Sequence, residues 1–230
     1  SQHVGYRLAQ FLKEEQPDIV HCHSRRGADV LGGLAANFAD IPAVVSRRVD
    51  NTDLRLVAGL RYRPFRKVIA ISEAIADVLR ERGIEDERLD VFRSAVDVDA
   101  FPGSADCGQV RAEFGLTPEH FTVAVAAQLI PRKGHQYLLQ AVADIRDRYP
   151  QLRLIIFGEG YLNNQLRAQA SSLGLGSVVQ FAGFRDDLDT YISCLDRLAH
   201  PALAAGLGVA ALKAAAAGLP VVGFAGGGVV

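Results

Sequence analysis

Residues 122–160 read TVAVAAQLIPRKGHQYLLQAVADIRDRYPQLRLIIFGEG: an apolar run, a basic glycine-containing turn, an amphipathic stretch and a second apolar run. Runs with so little polar alternation are strands covered on both faces. Two of them joined through a helix form the βαβ unit of a parallel sheet. The alternation continues downstream through SVVQFAG, RLAHP and PVVGF, with helices expected after Gly160, near 187–193 and after Gly206. Upstream, Val4 to Glu15 has helical spacing that ends at Pro17-Asp18, ahead of the run IVHCH. A helix through GADVLGGLAANFA, the runs AVVS and KVIAIS, a helix from Ser72 and the run LDVFRS follow. The Ser72 cap stands alone, because the position three residues on is Ile75 and not the Glu or Gln of a capping box.

Between Ser94 and Glu113 the chain turns loop-like, with SAVDVDAFPGSADCG carrying Pro, Gly and several Asp. The expected organisation is therefore two α/β domains in series, 1–100 and 119–230, joined by a linker over 101–118. Ser1 in place of Met and the closing GFAGGGVV both read as cuts, which makes both domains incomplete. The alanine-rich stretch from Ala202 to Ala217 is most simply helix.

Composition excludes several classes. With 49% hydrophobic residues in 230, there is ample material for buried cores. A formal net charge of -1 supplies no overall field for nucleic acid. Cys22, Cys107 and Cys194 lie far apart with no CxxC pair, which indicates neither a zinc knuckle nor a disulfide framework and suits a reducing compartment. No run of eighteen apolar residues and no leader pattern occurs, so the expected location is cytoplasmic or peripheral to the inner face of a membrane.

Ligands of open parallel sheets bind beyond the carboxyl ends of the strands, so the residues just after each run matter most. PRKGH puts Lys133 and Gly134 at a helix start, where an ammonium and free amides suit phosphate oxygens; a solvated first-turn lysine is the plain alternative. Glu159-Gly160 offers a carboxylate to a sugar or ribose hydroxyl, or simply a favourable charge at a helix N-terminus. Gly206-Leu207-Gly208 lets backbone approach a ligand closely as it enters the next helix.

Taken in order, AAQLIPRKGHQYLLQA, LRLIIFGEG, LGLGSVVQFAGFRDDL, LAHPALAAGLGVAALKAAAAGLPVV and AGGGV resemble the nucleotide-sugar-binding half of the group 1 glycosyltransferases, a retaining family with the GT-B fold of two Rossmann-like domains. PDIVHCHS, RKVIAISEAI and FRSAVDVDAF resemble the stretches preceding that family's interdomain linker. The resemblance covers most of the chain. It implies metal-independent transfer from a nucleotide sugar to a glycan or lipid-linked acceptor, as in polysaccharide or lipopolysaccharide biosynthesis, with no cofactor and no nucleic-acid partner. It further implies that Lys133 neutralises the donor diphosphate and that the amides from Gly206 through Leu207 and Gly208 to Val209 hold the sugar or its phosphate. Gly183 and Phe184 would lie against the nucleobase.

The departures from that pattern are as informative. Gln128 stands where the family usually has an Arg, five residues before Lys133. Ala205 and Lys213 stand where it has two glutamates, so one hydrogen-bond acceptor is lost and one charge reversed. Each such loss costs about 1 to 3 kcal/mol, tenfold to a hundredfold in donor affinity or rate. A catalytically silent sugar-nucleotide-binding or scaffold module is the competing expectation. A dinucleotide oxidoreductase is disfavoured, because no GxGxxG follows the opening strand of either half.

In the first half, His21 and His23 share a face if extended but lack a third ligand for a metal. The resemblance implies an acceptor-side or cleft role for His23, a structural histidine being the alternative. The family commonly has a histidine where Arg48 stands, so no catalytic role passes to it. Arg25-Arg26 and Arg47-Arg48 could face an anionic acceptor or could be solvated surface. An excess of four basic residues over residues 1–70 would favour an anionic bilayer if the acceptor is lipid-linked.

Overall fold

The apolar runs become strands because helices cover both of their faces. The computed structural model describes residues 2–23, 27–48, 55–99, 101, 107–204 and 207–225. The chain folds as two compact units, Ser1–Ser94 and Ala95–Val230.

The first unit runs α1 (Gln2–Glu15), β1 (Val20–Cys22), α2 (Ala28–Phe38), β2 (Ala43–Arg47), α3 (Arg55–Tyr62), β3 (Lys67–Ala70), α4 (Glu73–Glu81) and β4 (Leu89–Val91). Its four strands are all parallel, in the order β1-β2-β3-β4. The Ser72 cap forms as expected, its hydroxyl accepting from the Ile75 N–H at 3.3 Å. Helix α2 packs so closely that a Cβ on Gly32 would stand 2.6 Å from the Cys22 sulfur. Helix α3 has no counterpart in the sequence reading, because RLVAGLRY is too short to show a period convincingly.

The second unit runs α5 (Cys107–Glu113), β5 (Phe121–Ala126), a 3-10 turn (Pro131–Lys133), α6 (His135–Ile145), β6 (Leu152–Phe157), α7 (Asn163–Ser172), β7 (Val179–Gly183), α8 (Leu188–Ile192), β8 (Arg197–His200), α9 (Val209–Ala216) and β9 (Val221–Gly223). The sheet is parallel, ordered β7-β6-β5-β8-β9. Strand β6 explains the apolar runs residue by residue. Leu154 and Ile156 enter a cluster with Leu139, Val142 and Leu166 on one face. Ile155 and Phe157 enter another, with Phe114, Ile192, Leu198 and Ala214, on the opposite face. Period-two alternation is present, but both phases are buried.

Two sequence expectations change here. The segment read as linker, 101–118, contains α5, whose Val110, with Phe114 and Leu116 just beyond, is buried in the second unit's core. The cysteine reading is corrected outright: Cys107, at the start of α5, and Cys194, just after α8, form a disulfide with a Cα–Cα distance of 5.1 Å across 87 residues. Spacing gave no hint of it, since the fold, and not the local sequence, brings two distant helices together. Cys22 is free and buried.

Candidate functional site at the strand ends of the second sheet

Chain order in the second sheet goes from β5 outward to β6 and β7, then returns to the other side of β5 for β8 and β9. The neighbours β5 and β8 therefore flank a topological switch point, where the connections leave in opposite directions and where open α/β sheets hold their ligands beyond the strand ends. Both sequence-predicted phosphate elements arise there: PRKGH after β5, and the segment that starts at His200 after β8.

Backbone hydrogen bonds tie the strand-end loops in series. The Gly158 N–H donates to Gly183 O at 2.7 Å, linking the ends of β6 and β7. The Leu129 N–H donates to Glu159 O at 2.9 Å, linking the loops after β5 and β6. The Leu203 N–H donates to Arg132 O at 2.9 Å, linking the 3-10 turn to the segment after β8. The turn closes on Gly134, which adopts φ 71° and ψ 13° and caps α6 without a side-chain bond. Its missing side chain is required twice over: a Cβ there would need the left-handed backbone and would lie 1.9 Å from Pro201 O. Lys133 is thereby set at the head of α6, whose first N–H groups have no intrahelical acceptor.

The structure brings Gln128, Lys133, Leu207, Gly208, Val209 and Lys213 onto the loops and helix around this edge, with Gly183 and Phe184 at the end of β7. Gln128 is exposed, as is Phe184 at 68%, a bare aromatic face after the Gly183 turn at φ 73°. Gly208 caps α9 in the left-handed conformation, φ 71°. Ala205 and Gly206, like Arg25, Arg26 and the closing 226–230, lie outside the described residues.

Lys213 is committed to a partner that the sequence reading missed. Its ammonium lies 2.7 and 2.8 Å from the two carboxylate oxygens of Asp189 on α8, both side chains about a third exposed. Lys213→Glu would set two carboxylates against each other and is expected to destabilise the chain by about 1 to 2 kcal/mol. Adding Asp189→Lys should recover most of that loss in urea unfolding; no recovery would mean that the pair is dispensable.

Two further groups were missed, His135 and His200. His135 opens α6 at 1% exposure, with both ring nitrogens unpartnered among the described residues, and His200 ends β8 at 5%, with Nε2 likewise unpartnered. Burial, and secondarily the Lys133 ammonium, push His135 down to about 4; the same two causes lower His200. The folded value of His135 lies below the ordinary 6.5, so the stability gained by keeping its ring neutral is whole above about pH 6.5 and drains away towards pH 4. Between pH 7 and 4 the native chain should lose about 3 kcal/mol more than His135→Gln in paired denaturant melts. Equal losses would contradict it. The sequence signal available was position alone, one histidine directly after the strand-end turn and the other at the end of its strand.

In the first unit, the ends of the strands line an open cavity of about 410 Å³, with His21, His23, Ser46, Arg48, Phe92 and Ser94 among its walls. His21 Nε2 is 2.8 Å from Ser46 Oγ, and the His21 and His23 rings lie 3.8 Å apart between centroids, tilted by 35°. Burial, and then the neighbouring His23, lower the pKa of His21. Arg47, by contrast, is buried as the last residue of β2. Among the described residues no group of three or more His, Cys, Asp or Glu could hold a metal.

A parallel α/β unit with a lysine-bearing turn and a helix N-terminus at its switch point is a Rossmann-like module whose strand ends suit a phosphate-bearing ligand. The family profile described as "Glycosyl transferases group 1" matches residues 109–230, more than half of the chain, and that described as "Glycosyltransferase Family 4" matches 3–100. The chain belongs to the group 1 glycosyltransferases. It is 26% identical over 231 residues to the UDP-Gal:alpha-D-GlcNAc-diphosphoundecaprenol alpha-1,3-galactosyltransferase of Escherichia coli, covering 94% of this chain and 59% of that one. It is 31% identical over 235 residues to the D-inositol 3-phosphate glycosyltransferase of Mycobacterium marinum, covering 92% and 49%. The crystal structure of Anabaena Alr3699/HepE in complex with UDP and glucose superposes with a TM-score of 0.87 at 26% identity, covering 97% of this chain and 63% of that one. The chain thus spans less than two thirds of these relatives' lengths, and its fold is that of two Rossmann-like parallel-sheet domains.

Proposed function

We propose that this chain carries the donor site of a retaining glycosyltransferase that moves a sugar from a nucleotide-sugar donor to a glycan or lipid-linked acceptor. The observation that carries the reading is the Lys133–Gly134 turn at the β5/β8 switch point, in a chain of this family. Charge builds on the diphosphate as the glycosidic bond breaks, and a fixed ammonium with helix-end amides stabilises it most at that moment. No metal is called on in this reading.

Phe184 would lie against the nucleobase, and the amides at Leu207, Gly208 and Val209 would meet the sugar or its phosphate. Lys213, bridged to Asp189, is the wrong sign for ribose hydroxyls that a carboxylate would accept from. The first-unit cavity with His23 and Arg48 is assigned to the acceptor side. Relatives whose names carry a diphosphoundecaprenol-linked sugar or D-inositol 3-phosphate support an acceptor of the phosphate-bearing or lipid-linked kind. No helix among the described residues is long and apolar enough to cross a membrane. In this reading the protein works at the cytoplasmic side, held peripherally where its acceptor is lipid-linked.

Donor-dependent release of nucleotide by the full-length protein tests the proposal across UDP-, GDP- and ADP-sugars with glycan and lipid-linked acceptors. Lys133→Ala is expected to lower kcat/KM tenfold to a hundredfold, the loss of one charge-assisted phosphate contact. Nucleotide binding without release in any combination would leave the silent module as the better reading, and neither binding nor release would overturn the donor site itself.

A further inference from the structure

The donor reading leaves two buried imidazoles without employment. His135 and His200 lie on different elements, α6 and β8, that meet where Gly134 abuts Pro201 O. They are 1% and 5% exposed, and three of their four ring nitrogens are buried without a hydrogen-bond partner among the described residues. Buried polar atoms of this kind are rare and call for a ligand, a water or a proton that comes and goes. A purely structural histidine would be expected to satisfy at least one of these nitrogens.

Their electrostatic surroundings point the same way. The 3-10 turn brings Lys133, which acts on both rings, and Arg132 beside it; β9 pairs Gly223 with His200, and just beyond it the Phe224 N–H donates to His200 O at 3.3 Å. Within the same residues, no carboxylate contributes to the shift of either ring. The head of α6 adds the positive end of a helix dipole. The charges that act on the rings therefore disfavour an imidazolium while the site is empty of anion. A diphosphate at Lys133 reverses the sign of that field, because two negative charges enter beside one ammonium.

Resting on the donor reading above, we propose that His135 and His200 are proton-accepting partners of the donor diphosphate: they are neutral in the free protein and take a proton from solvent as the donor docks at the Lys133–Gly134 turn. The imidazolium formed supplies the cationic charge that Gln128 does not. The proton leaves again with the nucleoside diphosphate, so the balance over a catalytic cycle is zero. Donor affinity then rises as pH falls from 7.5 to 6, by up to about tenfold per pH unit for each proton taken up.

The test is calorimetric titration of the full-length protein with UDP-glucose, GDP-mannose and ADP-glucose at pH 6, in buffers of different ionisation enthalpy. These diphosphate diesters carry no proton of their own to exchange near neutrality. The slope of observed heat against buffer enthalpy gives the protons taken up per donor bound, and a value between roughly one half and two is expected. His135→Gln and His200→Gln should each remove a share of that uptake. As a check that needs no substitution, the 15N-histidine spectra of the native protein should show the His135 and His200 signals moving towards the charged form on donor addition, by an amount that matches the proton uptake. Binding heat with no buffer dependence and no change in the imidazole signals would overturn the histidine assignment and leave the donor site standing. No binding heat with any of the three donors would overturn the donor reading and this proposal with it.

Discussion

Gly134→Ala is expected to weaken the fold by about 2 to 5 kcal/mol and to remove measurable donor binding. Two costs combine. The left-handed backbone at φ 71° costs an alanine about 1 to 2 kcal/mol. The new methyl would also stand 1.9 Å from Pro201 O and 2.9 Å from its carbonyl carbon, both backbone atoms tied into the end of β8. Overpacking against atoms that cannot swing aside adds about 1 to 3 kcal/mol. Gly218→Ala provides the control: its φ is 72°, nearly the same, but nothing lies within 4 Å of its added Cβ. That variant should show the conformational cost alone. Urea unfolding of the two variants separates the terms, and equal destabilisation would mean that the turn does not press on β8.

Reduction of the Cys107–Cys194 disulfide is expected to cost about 4 to 5 kcal/mol, through the chain entropy released when a loop of this length opens. The bond holds α5 to the end of α8 inside the cluster that contains Phe114, Ile192 and Leu195. Losing it would loosen the helix that presents Asp189 to Lys213. In a reducing compartment the pair would stand as thiols, and the second unit would rest on its apolar core alone. Thiol titration of the unfolded, unreduced protein should count one free cysteine, Cys22, and three after reduction. Three before reduction would contradict the bond, and denaturant midpoints unmoved by reductant would remove its energetic role.

The fold was legible because its main signal is coarse. A strand such as LRLIIF, apolar at nearly every position, demands cover on both faces, and only a parallel sheet between helix layers supplies it. The strand-end turns could be read for the same reason, since PRKGH after an apolar run places a lysine at a helix head wherever the sheet closes. What could not be read depended on contacts between distant residues. Asp189 is separated from Lys213 by 24 positions, and Cys107 from Cys194 by 87. His135 and His200 looked like ordinary polar residues next to turns. Only the fold shows that both are buried. Helix α5 was hidden by the Pro, Gly and Asp ahead of it, and its burial comes from Val110 meeting strands that are remote in sequence.

The central claim is that a nucleotide sugar docks on the strand-end loops around Lys133. Amide hydrogen exchange of the full-length protein, with and without saturating donor, tests it most directly. Protection should concentrate in three stretches: 128–138, 183–185 and 200–210. The strand-start ends of the same sheet, at Phe121 and Leu152, should be unchanged. Protection confined to other surfaces while donor is bound would contradict the account.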